Sequence, residues 1–153
     1  MTTENDEHQK FLQMAIDESR FSIEHDSSPF GAVIVKDGQI IAKAHNSVVS
    51  SKDATAHAEI NAIRQAGKAL NTFDLNDCIL YTSCEPCPMC LNAAKWANIK
   101  EIYYAADRND ADQIGFRDRV FYEETNIEIK RILLPQATEI MQEWYHSKDK
   151  KPY

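Results

Sequence analysis

The chain is predicted to be an α/β protein in which helices cover a mixed sheet. Three observations carry this reading. Five short apolar runs, near residues 30–35, 40–44, 77–82, 101–106 and 127–134, have strand composition and are separated by helical patterns or turns. Between the first two runs, Lys36-Asp37-Gly38-Gln39 supplies an Asp-Gly hairpin turn. The chain has 153 residues, 43% of them hydrophobic, with no internal repeat and no linker, so one domain over 1–153 is expected. The order α-β-β-α-β-α-β-β-α makes the hairpin antiparallel and the later strands parallel.

Each element has a local reason. Phe11, Leu12, Ala15 and Ile16 recur at helical spacing between polar residues, which predicts an amphipathic helix over about 8–24. Asp26-Ser27-Ser28-Pro29 breaks it. Phe30 to Val35 is apolar and β-branched, and Ile40 to Ala44 is its hairpin partner. The Ser-rich run from His45 to Ala56 reads as a loop. A helix is expected near Thr55, capped by Asp53 or Thr55, with Ala58, Ala62, Ile63, Ala66 and Leu70 on its apolar face and Asn71 at its end. Asp77 to Thr82 is a buried strand. Pro86 and Pro88 permit a helix to start but not to extend backwards, so Met89 to Ala97 is the next helix. Glu101 to Ala106 is a strand, 107–119 reads as irregular, and Ile127 to Leu134 is a last strand before Pro135. Thr138 to His146 places Ile140, Met141, Trp144 and Tyr145 on one helical stripe, which this subunit or another must cover.

The formal net charge of -7 argues against a protein that grips a phosphate backbone and favours a small-molecule substrate. The polar, acidic start does not have the pattern of a secretory signal, and no apolar run approaches the ~20 residues of a membrane span. A soluble, cytoplasmic protein is expected. Of the four cysteines, Cys84, Cys87 and Cys90 crowd into seven residues, which suits metal ligation better than a disulfide framework.

Two runs carry the chemistry: His57-Ala58-Glu59 and Glu85-Pro86-Cys87-Pro88-Met89-Cys90. Cys87 and Cys90, three apart at a helix start, share a face, and the helix N-terminus favours thiolate. With a neutral His57 they make three ligands for zinc. A catalytic zinc keeps a fourth position for water, whereas a structural zinc fills all four with protein. His57 and Glu59 converge only in a first helical turn, because helical side chains tilt toward the N-terminus. The metal is therefore expected between two helix N-termini. Zinc lowers the pKa of a bound water to roughly 7, and a neighbouring carboxylate can pass its proton to a leaving amine. Glu59 is the acid for that role. The alternative is a closed Cys3His structural site that adds Cys84. His8, His25, His45 and His146 read as surface or packing residues, Cys78 as core, and Trp96 and Trp144 as core or interface.

The motif His57-x-Glu59 followed by Pro86-Cys87-x-x-Cys90 resembles the signature of zinc-dependent nucleoside and nucleobase deaminases. Pro29-Phe30-Gly31-Ala32-Val33, Asn46, Tyr81 to Cys90, Tyr104-Ala105-Ala106, Gly115-Phe116-x-Asp118 and Lys151-Pro152-Tyr153 extend the resemblance to bacterial guanine deaminases of the cytidine-deaminase fold. It covers about 29–122 and the last residues, while 123–139 align poorly and Ala54 replaces a proline common in relatives. The resemblance implies a cytidine-deaminase-like three-layer α/β/α sandwich with a five-stranded mixed sheet. It implies zinc on His57, Cys87 and Cys90, with Cys84 outside the ligand set. It makes Glu59 the proton shuttle. It places the purine base against Asn46, Asp118, Phe30, Ala58 and Tyr153. It also implies a homodimer, with 136–153 exchanged between subunits so that Tyr153 closes the partner's site.

The reaction so implied is guanine plus water giving xanthine plus ammonia, in purine catabolism. Rival substrates for the same chemistry are adenosine in tRNA, guanosine, cytosine and an aminotriazine. The charge of -7 and Phe30 oppose tRNA, while Lys148, Lys150 and Lys151 weakly favour it. A rival from another class is a non-catalytic, zinc-stabilised interaction module.

Overall fold

Thr3 and Asp6 set the start of the first helix. The Thr3 N–H donates to Asp6 Oδ2 at 3.0 Å, and the Asp6 N–H donates to Thr3 Oγ1 at 3.1 Å. This reciprocal cap starts α1 (Glu4–His25) four residues before the apolar periodicity predicts. The structure is a computed structural model that describes residues 3–25, 28–123, 127–128 and 130–148.

The hairpin follows its sequence. β1 (Gly31–Lys36) and β2 (Gln39–His45) pair antiparallel with Lys36 opposite Gln39. Asp37 and Gly38 between them both have positive φ, 50° and 73°, as a two-residue primed turn requires. β3 (Cys78–Cys84) pairs antiparallel with β1, and β4 (Glu101–Ala106) pairs parallel with β3. The sheet order is β2-β1-β3-β4.

Alternation along the strands builds two cores. Ala32, Ile34 and Leu80 face α3 (Ala58–Leu70) and α4 (Pro88–Trp96), where they meet Ala58, Ala62, Ala66 and Ala94. Val33, Val35 and Tyr81 face the other way and pack on Phe11 and Ala15 of α1. The small residues of α3 let it lie close to the sheet. The close approach of α1 depends on Gly31: a Cβ there would fall 2.2 Å from the Ala15 carbonyl oxygen and 2.6 Å from the Ser19 nitrogen. These layers make the expected α/β/α sandwich.

Several expectations change. The sheet has four strands rather than five, because among the described residues 127–134 form no strand. Ile127, Ile132, Leu133 and Leu134 in that stretch are exposed. β-Branched composition alone does not make a strand, which needs a partner edge. The second long helix, α3, starts at Ala58 with His57 as N-cap, three residues after Thr55. Asp53 instead binds Thr55 locally, its Oδ1 accepting from the Thr55 N–H at 2.9 Å and from its hydroxyl at 2.7 Å. The Ser-rich loop contains a single helical turn, α2 (Val48–Ser51). The stretch after β4 holds α5 (Arg108–Gln113), started by a capping box between Asp107 and Asp110, and then α6 (Asp118–Glu123). Finally, α7 (Pro135–Tyr145) begins at its proline, three residues before the predicted start. No helix among the described residues is long and apolar enough to cross a membrane.

Candidate active site

The two motif runs meet at the ends of two helices. His57 is the N-cap of α3 and Cys87 the N-cap of α4, both extended, with ψ of 157° and 167°. Neither uses its side chain to cap its own helix, so the imidazole and the thiol are free to turn toward each other. Pro88 opens α4, which puts Cys90 in its first turn. His57 Nδ1 lies 3.6 Å from Cys87 Sγ and 3.5 Å from Cys90 Sγ.

These distances can be set against a metal. A tetrahedral zinc with Zn–S of about 2.3 Å and Zn–N of about 2.0–2.1 Å separates nitrogen from sulfur by about 3.6 Å. The donor set, one imidazole and two thiols, is also one that zinc prefers. His57, Cys87 and Cys90 form the single cluster of this kind among the described residues. Cys84 stays outside it. Its Sγ is directed to the Asp107 carbonyl at 3.6 Å, and burial pushes its thiol up to about 12. The cluster that could hold a metal therefore has three protein donors, with Cys84 outside it.

Charge is unevenly shared between the two clustered thiols. A hydrogen bond from Cys90 and another from His57 hold Cys87 down to about 4. Cys90, which donates to Cys87 and is shut off from water, is held far above the usual thiol range. His57 is raised, chiefly by its hydrogen bond to Cys87. A divalent cation would compete for both remaining protons.

Glu59 sits in the first turn of α3 and is only 6% exposed. Burial pushes its carboxyl above the usual range, while a hydrogen bond with Cys90 partly offsets this. A carboxyl held beside the cluster is placed to take and give a proton. It opens on a cavity of about 430 Å³, within the size range of small-molecule sites.

The structure brings most of the predicted contacts to this cavity. Phe30, Asn46, Glu59 and Asp118 line it together with His57 and Cys87. Asn46, 5% exposed, is fixed by three bonds. Its N–H donates to the Phe30 carbonyl at 3.1 Å, its Oδ1 accepts from the Val48 N–H at 3.0 Å, and its carbonyl accepts from Ser22 Oγ at 3.3 Å. With Oδ1 engaged, the amide NH2 is the end left to donate. Asp118 opens α6, and burial raises its carboxyl. Phe30 meets Phe116 edge to face, with centroids 4.8 Å apart at 80°.

One predicted residue is placed differently, and another lies outside the described residues. The Ala58 methyl is fully buried in the core beneath α3 and does not line the cavity, so any contact with a ligand falls to its backbone. Tyr153 lies outside the described residues. The sequence reading also missed wall residues, among them Val48, Met89, Phe116 and Phe121. Phe121 was findable, since it lies three residues after Asp118 and so shares its helical face. Val48 was hidden in a run read as loop.

Comparison with known proteins agrees with this geometry. The chain is 50% identical over 132 residues to guanine deaminase from Bacillus subtilis, covering 82% of this chain and 85% of that protein. It is 47% identical over 96 residues to a tRNA-specific adenosine deaminase from Aquifex aeolicus, covering 63% and 64%. Its fold superposes on an X-ray structure of the B. subtilis guanine deaminase with a TM-score of 0.90 and 45% identity, covering 95% of this chain and 98% of the other. Residues 5–106 match the family described as cytidine and deoxycytidylate deaminase zinc-binding region. With the paired helix starts, the His-Cys-Cys cluster and the buried glutamate in place, the chain belongs to the zinc-dependent cytidine and deoxycytidylate deaminase family.

Proposed function

We propose that this protein is a zinc-dependent aminohydrolase that converts guanine and water to xanthine and ammonia. The observation that carries this reading is the buried Glu59 beside the His57-Cys87-Cys90 cluster, in a cavity lined by Phe30, Asn46 and Asp118. The similarity to a guanine deaminase over most of both chains supports the choice of base.

His57, Cys87 and Cys90 would hold the zinc. Bound there, zinc supplies Lewis acidity, which polarises water so that it ionises near neutral pH. Glu59 accepts a proton from the attacking water and returns it to a ring nitrogen of the purine. A second transfer through the same carboxyl protonates the amino group as the C2–N bond breaks and ammonia leaves. Asn46 donates its amide NH2 to a purine acceptor, and Asp118 accepts from a ring N–H. Phe30 packs on the ring, held by Phe116. Because Asn46 is buried and Asp118 half-buried, a base that leaves them unpaired is disfavoured.

The 47% identity over 96 residues to a tRNA-specific adenosine deaminase raises tRNA as a substrate. That match covers a smaller share of both chains, and the net charge of -7 opposes a phosphate backbone.

The exposed apolar tail completes the reading. Ile132, Leu133, Leu134, Ile140, Met141 and Trp144 are all at least 48% exposed, a stretch of apolar surface that one subunit leaves uncovered. A homodimer that exchanges residues 136–153 would cover it and bring Tyr153 to the partner's cavity. Work on a free purine base fits a cytoplasmic enzyme of purine catabolism.

The test is to incubate zinc-loaded protein with guanine, following xanthine by absorbance and ammonia by a coupled assay. Stoichiometric xanthine and ammonia, abolished by chelation and restored by zinc, is the expected result. Zinc-loaded, folded protein that leaves guanine intact refutes the reading.

A further inference from the structure

One polar cluster beside the cavity has no part in the chemistry above. Glu85 follows β3 and precedes the cysteine loop. Arg108 opens α5, and Tyr122 lies near the end of α6. The Arg108 guanidinium grips Glu85 with Nε at 3.2 Å from both carboxylate oxygens and Nη2 at 2.7 Å from Oε2. The Arg108 backbone N–H adds a fourth bond, to Oε1 at 3.0 Å. The same guanidinium lies over the Tyr122 ring, 3.6 Å from its centroid. The Tyr122 hydroxyl then donates to the Pro86 carbonyl, one residue before the ligand Cys87.

This closes a loop of contacts. Glu85 holds Arg108, Arg108 holds the Tyr122 ring, and Tyr122 holds Pro86. The cluster is half-buried, and Arg108 pulls the Glu85 carboxyl below the usual range. A bidentate arginine fork is directional, and lysine cannot reproduce it. α6 has six residues, too few to be a stable helix alone, so its position depends on what it packs against. Its first residue is Asp118, and with Phe116, Arg117 and Phe121 it makes one wall of the cavity.

We propose that Glu85, Arg108 and Tyr122 are positioning residues: a latch that fixes α6 against the cysteine loop and so holds Asp118 at its distance from the metal cluster. The proposal rests on the deaminase reading for what Asp118 binds, but not for the latch itself. Loss of the latch therefore weakens substrate binding more than it slows chemistry, since Glu59 and the ligands stand on α3 and α4.

The test uses zinc-loaded full-length protein with three substitutions: Arg108→Ala, Arg108→Lys and Tyr122→Phe. The last keeps the ring and removes only the bond to Pro86, so it retains the packing if Arg108→Ala folds poorly. Zinc content, guanine KM and kcat, and hydrogen exchange of residues 118–123 are measured. For Arg108→Ala we expect KM to rise about tenfold or more, as for loss of charge-assisted bonds, with kcat within about threefold. Exchange in 118–123 rises, zinc stays at the wild-type level, and Arg108→Lys does not rescue KM. Tyr122→Phe shows the same pattern, smaller. Unchanged exchange in 118–123, rescue by lysine, or loss of zinc in parallel with activity would each overturn the latch. If wild-type protein fails to turn over guanine while exchange still rises in the variants, the substrate reading fails and the latch stands.

Discussion

In the proposed reaction, Glu59 is the residue on which the chemistry turns. Replacing it by glutamine keeps its size and removes its proton traffic. Glu59→Gln is expected to bind zinc at the wild-type stoichiometry and lose about 10²–10⁴ in kcat. Retained turnover removes Glu59 from the mechanism. Cys84 gives the complementary test. With its thiol directed to the Asp107 carbonyl and pushed up to about 12, Cys84→Ser is expected to keep one zinc per chain by metal analysis. Loss of metal would revive the four-ligand site. Both residues were legible from the sequence to different degrees. The motif spacing singled out His57, Glu59, Cys87 and Cys90. It left Cys84 open, because one-dimensional spacing does not say which carbonyl a thiol meets. Ala58 stands beside two motif residues but faces the core, which only the helix phase decides.

At the scale of elements, helix starts matter most. His57 and Cys87 act as N-caps that do not cap, and this directs both toward one point. The sequence places the meeting point between the two helix starts, but by putting both His57 and Glu59 in a first turn; His57 instead stands one residue outside it, as the extended N-cap. Elements with strong local patterns were legible too, namely α1, the hairpin, β3, α4 and β4. Those that depend on a few polar residues were not. Asp107 and Asp110 start α5 within a stretch that has no apolar period, and Asp53 spends its carboxylate on Thr55 rather than on a helix. The strand predicted at 127–134 had the right composition and lacked a partner among the described residues. The packing of α1 on β1 yields a prediction of its own. Gly31→Ala places a methyl against the Ala15 carbonyl and the Ser19 nitrogen, which should cost about 1–3 kcal/mol. A melting temperature lowered by several degrees is expected. An unchanged melting temperature would mean that α1 does not lie this close to the sheet.

The whole molecule presents a folded α/β/α body and an apolar tail. The tail's stripe was visible as a helical period. What covers it was not, because a surface that is buried between copies has the same pattern as one buried within a chain. If 136–153 are exchanged, the protein sediments as a dimer, and deleting those residues yields monomers with impaired guanine turnover and a body that still melts cooperatively. A truncated protein that stays dimeric with full activity contradicts the exchange. The central claim, however, concerns the base in the cavity. It is tested most directly by measuring kcat/KM for ammonia release across guanine, guanosine, cytosine, an aminotriazine and adenosine in tRNA, with one zinc-loaded preparation. The account predicts guanine first, with xanthine as product. A higher value for tRNA adenosine or for cytosine would contradict it.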